Sequence, residues 1–138
     1  MMRFQSEVRV RSYELDSLGH VNHAVYLNYF EQARWDALEA AGYPHTSLTT
    51  GEWGVQVVRI EAEYRKECRQ GQLLHILTRV EELRSASVTL SHELRRVDDG
   101  PLADPAVTAT VVLVWVGKSR RPIRIPPEAR RALEGFTS

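Results

Sequence analysis

The stretch Asp16-Ser17-Leu18-Gly19-His20-Val21-Asn22-His23-Ala24-Val25-Tyr26-Leu27-Asn28-Tyr29-Phe30-Glu31-Gln32-Ala33-Arg34 decides how the chain is read. It sets one carboxylate ahead of a polar turn that runs directly into a helix. Tyr26, Phe30, Ala33, Ala37 and Ala41 recur every three or four residues, and Tyr29 and Leu38 widen the stripe, so the spacing predicts a helix over 24–41 with one apolar face. Gly42 followed by Pro44 marks its end. A helix start carries backbone N–H groups without intrahelical partners and the positive end of the peptide dipole. Together these can hold a developing oxyanion while Asp16 acts on the same carbonyl.

Outward from the helix the pattern changes to strands. Phe4 to Leu15 mixes Val8, Val10 and Tyr13 with polar residues and reads as a first strand with one wet face. After a loop through Gly51 and Glu52, Val55 to Tyr64 alternates Val58, Ile60, Ala62 and Tyr64 with Arg59, Glu61 and Glu63. Leu73 to Leu83 and Ser87 to Val97 repeat the alternation, and Asp98-Asp99-Gly100-Pro101 supplies a turn. Val107 to Val116 is almost wholly apolar, which predicts a central strand covered on both faces. Pro126-Pro127 opens a short terminal helix whose contacts are Ala129, Leu133 and Phe136.

Strand, one long helix, then antiparallel strands on short turns is an α+β layout, a single domain over 1–138 in which one sheet wraps one helix. The strand-helix alternation of a doubly wound nucleotide fold is missing, as are G-x-G-x-x-G and P-loop sequences, so a ligand containing a nucleotide must be held differently. Basic and acidic residues balance at 18 each, which speaks against nucleic acid as the main partner. Cys68 is the single cysteine, so neither an intrachain disulfide nor a four-cysteine zinc site can form, and a reducing compartment fits. With no signal-like apolar run and no stretch of roughly 20 apolar residues, the expectation is a soluble, cytoplasmic protein without a membrane span.

Several residue groups could carry chemistry. Asp16 either caps its own turn or acts as a catalytic carboxylate, and Gly19, His20, Asn22 and His23 crowd a polar segment beside it. His20, His23 and Asp16 could form a metal site, but no H-E-x-x-H accompanies them and His45, His75 and His92 are scattered. His20 reads better as the ring that fixes the turn, and His23 as the donor of a backbone N–H. Glu31 and Arg34, spaced i, i+3, can pair on the helix surface. Cys68 has no base beside it in sequence. Lys118, Arg120 and Arg121 form the densest basic cluster, either a solvated loop or a grip on the phosphates of a coenzyme.

Val10-Arg11-Ser12-Tyr13-Glu14-Leu15-Asp16, with Gly19-His20-Val21-Asn22, Tyr26, Tyr29, Glu31 and Ala33-Arg34, closely resembles the hotdog-fold acyl-CoA thioesterases of the 4-hydroxybenzoyl-CoA thioesterase type. The resemblance implies a hotdog fold, an antiparallel sheet wrapped around one long central helix. It further implies a homodimer or dimer of dimers (a homotetramer) paired through the sheets, with active sites at the subunit interface. It places the catalytic carboxylate on Asp16 and the carbonyl-polarising helix N–H at or next to His23. Candidate substrate-binding residues are Gly19, His20, Asn22, Tyr26, Lys118, Arg120 and Arg121. Many relatives have Asn where this chain has His23, and some have Tyr where it has Ser12, so the role at His23 falls to its backbone. The implied reaction is hydrolysis of acyl-CoA, with no cofactor beyond the CoA of the substrate. Asp16 would attack the thioester carbon or deprotonate the attacking water. A non-catalytic acyl-CoA or acyl-carrier binding module on the same fold is the alternative. A hotdog dehydratase would instead pair a His with an acidic residue across the interface.

Overall fold

The computed structural model describes residues 4–49 and 53–136; the loop expected through Gly51 and Glu52 lies outside the described residues. Strands β1 (Phe4–Arg9), β2 (Trp53–Tyr64), β3 (Leu73–Leu83), β4 (Ser87–Arg96) and β5 (Val107–Gly117) pair antiparallel in the order β1-β3-β4-β5-β2. Helices α1 (Val25–Ala40), α2 (His45–Thr49) and α3 (Pro127–Glu134) complete the chain. The sheet wraps α1 in the hotdog arrangement.

The alternation read in β3 and β4 is the alternation buried: Leu74, Ile76, Thr78 and Val80 face inward from β3, and Val88, Leu90, His92 and Leu94 from β4. On α1 the inward stripe is Tyr26, Tyr29, Phe30, Ala33, Arg34, Ala37 and Leu38. Ala41, expected on that stripe, is exposed one residue past the helix end, where Gly42 takes a positive φ of 90° that only glycine adopts freely. Burying a ring such as that of Phe30 contributes about 1.5–3 kcal/mol, so this stripe, rather than helix propensity, holds α1 in place.

Buried residues fall into two clusters. Tyr26, Tyr29 and Phe30 meet Val10, Leu74, Leu94 and Val107 under the first half of α1. Ala37 and Leu38 meet Val88, Leu113, Trp115 and the α3 residues Ala129 and Leu133 under the second half. Ala129, Leu133 and Phe136 are buried as expected. Between the clusters runs a polar seam of Arg34, His92 and Thr78.

Four expectations are corrected. The first strand ends at Arg9 rather than at Leu15, because residues Ser12–Glu14 turn in a 3-10 conformation closed by a hydrogen bond from the Glu14 N–H to the Arg11 carbonyl (3.1 Å). The segment after Pro44 is not all loop; it forms the short α2. β5 is an interior strand, but its burial alternates over most of its length: Val107, Ala109, Val111, Leu113 and Trp115 are buried, joined by Val116 at its end, while Thr108, Thr110, Val112 and Val114 are not, since the described helices pack on one face of the sheet. Finally, the apolar side of β2 stays largely open, with Val58 56% and Ile60 40% exposed, because β2 is an edge strand.

Candidate active site

Asp16 sits at the base of a tight reversal. Leu15 and Val21 form an antiparallel bridge, the Asp16 N–H donates to the His20 carbonyl (2.7 Å), and the Gly19 N–H donates to the Asp16 carbonyl (3.1 Å). Gly19 adopts φ +82°, which explains why glycine stands there. The Asp16 carboxylate caps this turn: Oδ1 accepts the N–H of Leu18 (2.9 Å) and of His20 (3.1 Å). These bonds, the His20 N–H foremost, hold its pKa below the usual carboxylate value, so the group is an anion at neutral pH. Oδ2 meets no donor among the described residues.

The far arm of the reversal docks on residues 67–69. His20 Nε2 lies 2.7 Å from Glu67 Oε2, Glu67 Oε1 in turn pairs with Arg69 (2.6 Å), and the Val21 N–H donates to the Cys68 carbonyl (2.9 Å). His20 therefore does fix the turn, through Glu67. Asn22 starts the helix: its Oδ1 accepts the Ala24 N–H (2.9 Å) and its carbonyl accepts the Val25 N–H (2.9 Å). The His23 carbonyl accepts the Tyr64 hydroxyl (3.2 Å), while the His23 N–H meets no acceptor among the described residues. His23 itself is exposed. Three residues separate His20, which faces Asp16, from His23, so that N–H lies within about 11 Å of the turn. The fold thus brings Asp16, Gly19, His20, Asn22 and His23 onto one loop at the start of α1.

Tyr26 is 3% exposed, its ring packed edge-on to Tyr29 (centroids 6.0 Å) and tilted against Tyr64 (5.6 Å), so within one chain it faces the core. Burial and a hydrogen bond with Cys68 push its hydroxyl pKa up. Cys68 is fully buried and burial raises its thiol pKa, which removes it as a nucleophile. Lys118, Arg120 and Arg121 follow β5 at the end where Trp53 pairs with Gly117; Tyr64, beside His23, pairs with Val107 at the opposite end. At about 3.3 Å per residue roughly 33 Å of strand intervenes, so one chain does not bring this cluster to Asp16. Among the described residues no three His, Cys, Asp or Glu side chains converge as metal ligands.

Sequence reading missed two arrangements. Glu14, 8% exposed, accepts the Tyr29 hydroxyl (2.8 Å) and the Arg11 N–H (2.8 Å) and pairs with the Arg11 guanidinium (2.9 Å). Arg34 does not form an ion pair with Glu31; it turns inward, where Nη1 donates to His92 Nε2 (3.2 Å). That donation leaves the His92 proton on Nδ1, 3.0 Å from Thr78 Oγ1, and the His92 ring stacks on Phe30 (4.9 Å, 7°). The signal for Arg34 was present in its spacing, on the same stripe as Phe30 and Ala37; for Glu14 there was none. Beside Arg34 opens a cavity of about 230 Å³, walled by Leu38, Val55, Val57, Leu90, Leu113 and Trp115, with Glu31 and His45 among its polar lining. Its apolar wall can take a hydrocarbon chain.

The family model of the thioesterase-like superfamily matches residues 10–133. The chain is 31% identical over 130 residues to the long-chain acyl-CoA thioesterase FadM of Escherichia coli (strain K12), covering 94% of this chain and 96% of that one. It is 30% identical over 130 residues to the acyl-CoA thioesterase YbgC of Haemophilus influenzae, covering 94% and 93%. The crystal structure of a DHNA-CoA thioesterase from Staphylococcus aureus superposes with a TM-score of 0.88 at 22% identity over 98% of this chain and 91% of that one, a likeness that shows the shared fold.

Proposed function

The chain belongs to the thioesterase-like superfamily, and on that premise we propose that it is an acyl-CoA thioesterase, a hydrolase that releases a carboxylic acid and CoA in the cytoplasm. The observation that carries this reading is the loop at the start of α1: an ionised Asp16 whose Oδ2 meets no donor, and a His23 N–H that meets no acceptor, among the described residues. The N–H would bind the carbonyl oxygen as negative charge builds on it. Asp16 would either attack the thioester carbon, expelling the thiolate and forming an anhydride that water opens, or take a proton from the attacking water. A thiolate leaves without a proton donor, which suits a site with one carboxylate. The acyl chain would lie along α1 toward the cavity beside Arg34. No cofactor is required beyond the CoA of the substrate.

The FadM and YbgC enzymes support acyl-CoA as the substrate class. Membership of the 4-hydroxybenzoyl-CoA type is part of the proposal and rests on the Asp16 and Gly19-His20-Val21-Asn22 motif. So is a homodimer formed through the open β2 edge, which carries Val57, Val58, Ile60 and Tyr64 to solvent in one chain. In such a pair the basic loop of one subunit could serve the phosphates of a CoA held by the other. No described helix is long and apolar enough to cross a membrane.

Thiol release from a panel of acyl-CoAs tests the reading. Release by the wild type and its loss in Asp16→Asn support it; no release from short, long or aromatic substrates leaves only a binding module. Single turnover in heavy-oxygen water then separates the two routes, since label in the Asp16 carboxylate marks an anhydride.

A further inference from the structure

We infer that the acyl groups this protein favours carry a carboxylate at the end remote from the thioester, and that the Arg34 guanidinium binds it. The inference rests on the thioesterase reading above and names the substrate class of that site. Arg34 is 7% exposed, lines the cavity, and uses one donor, Nη1, on His92. A guanidinium has five N–H donors in a rigid fork. No carboxylate among the described residues comes within 4 Å of it. Glu31 stands exposed, and its charge only favours the guanidinium from a distance.

A buried cation without a counterion is costly, and proteins pair such groups. His92 cannot serve, because it is itself buried and neutral. Nor does Arg34 escape by losing its proton: burial lowers its pKa only to about 10, so it stays charged at neutral pH. The remaining cavity wall is largely apolar, which fits an aliphatic chain, while the guanidinium fork fits a carboxylate through two parallel N–H···O bonds. Arg34 lies about 14 Å along the axis from Val25, at about 1.5 Å per residue, so the distal end of an acyl group, rather than its carbonyl, would reach it.

The test compares kcat/KM for two acyl-CoA series of matched carbon number, one ending in methyl and one in carboxylate, in the wild type, Arg34→Met and Arg34→Lys. At its best length the wild type is expected to favour the carboxylate ending by about tenfold to hundredfold, the scale of a charge-assisted hydrogen bond. That ratio should fall toward one in Arg34→Met and stay above one in Arg34→Lys. A wild type that prefers the methyl ending at every length overturns the inference, as does an Arg34→Met that keeps the preference. If the variants do not fold, the wild-type ratio decides alone. If no acyl-CoA is hydrolysed, the thioesterase reading has failed separately, and calorimetry with free mono- and dicarboxylic acids of equal length then tests Arg34: tighter binding of the dicarboxylate supports its role, and equal binding ends it.

Discussion

The Tyr29 hydroxyl donates to Glu14 Oε1 across 2.8 Å, tying the second turn of α1 to the turn that precedes Asp16. The Glu14 carbonyl also accepts the Asn22 N–H (2.9 Å), so this one residue grips both arms of the reversal that carries the candidate catalytic group. Removing the hydroxyl in Tyr29→Phe takes a donor from a buried carboxylate and should cost about 1.5–3 kcal/mol of stability, read as a lower urea midpoint with the slope unchanged. A midpoint equal to that of the wild type would show that water replaces the hydroxyl.

Because Asp16 both caps its turn and offers a free oxygen, two substitutions separate the roles. Asp16→Asn keeps an oxygen for the Leu18 and His20 N–H groups and should fold as the wild type does, yet lose about 10²–10⁴-fold in kcat. Asp16→Ala should show the same catalytic loss and, in addition, a lower melting temperature, because the Leu18 and His20 N–H groups lose their acceptor. Thermal melts beside thiol-release rates provide the check, and comparable activity in Asp16→Asn would clear the carboxylate of a catalytic role.

Burial and the neighbouring Arg34 push the His92 pKa down to about 3 from its ordinary 6.5. Between those values the unfolded chain takes up a proton that the folded one refuses, so stability falls as pH drops through this window and is level above it. The slope should be roughly 1.4 kcal/mol per pH unit from this residue. In His92→Gln, which retains an acceptor for Arg34, denaturation at pH 7 and pH 5 should differ by correspondingly less than in the wild type.

The open β2 edge should be where two copies meet. Ile60→Lys places a charge on that strand, where a single chain accommodates it at the surface, and should shift sedimentation from dimer toward monomer with little change in the thermal melt of the monomer. An unchanged sedimentation coefficient would move the interface elsewhere.

If Lys118, Arg120 and Arg121 hold phosphates, replacing all three with Ala should raise KM for an acyl-CoA by about tenfold or more while leaving a short thioester that lacks phosphates unaffected. Added salt should reproduce the effect in the wild type. An equal rise in KM for both substrates would point to loop damage instead.

Much of this molecule could be read one residue at a time. The α1 stripe, the alternation in β3 and β4, the turn after Arg96 and the Pro-initiated α3 all follow from periodicity and turn chemistry that act over a few residues. The Asp16 turn is equally local, since its carboxylate bonds reach no further than His20, four residues on. Where reading went astray, the cause was long-range. An apolar β5 looked covered on both faces because composition does not say on which side of a sheet the helices lie, and the packing of Tyr26 could not be foreseen because its neighbours Tyr64 and Cys68 are distant in sequence.

The sequence by itself determined the elements, the α+β class and the loop that presents Asp16 and the His23 N–H, because these depend on spacing and on hydrogen bonds between near neighbours. Tertiary structure alone decided that Glu14 meets Tyr29 from 15 residues away and that Arg34 meets His92 from 58 away. It likewise set the basic loop at the far end of the sheet from Asp16. Those pairings are consequences of strand order and register and of how α1 lies on the sheet; a register shift of one residue would reverse every side chain of a strand, and no local pattern encodes which partners the folded sheet and helix bring together.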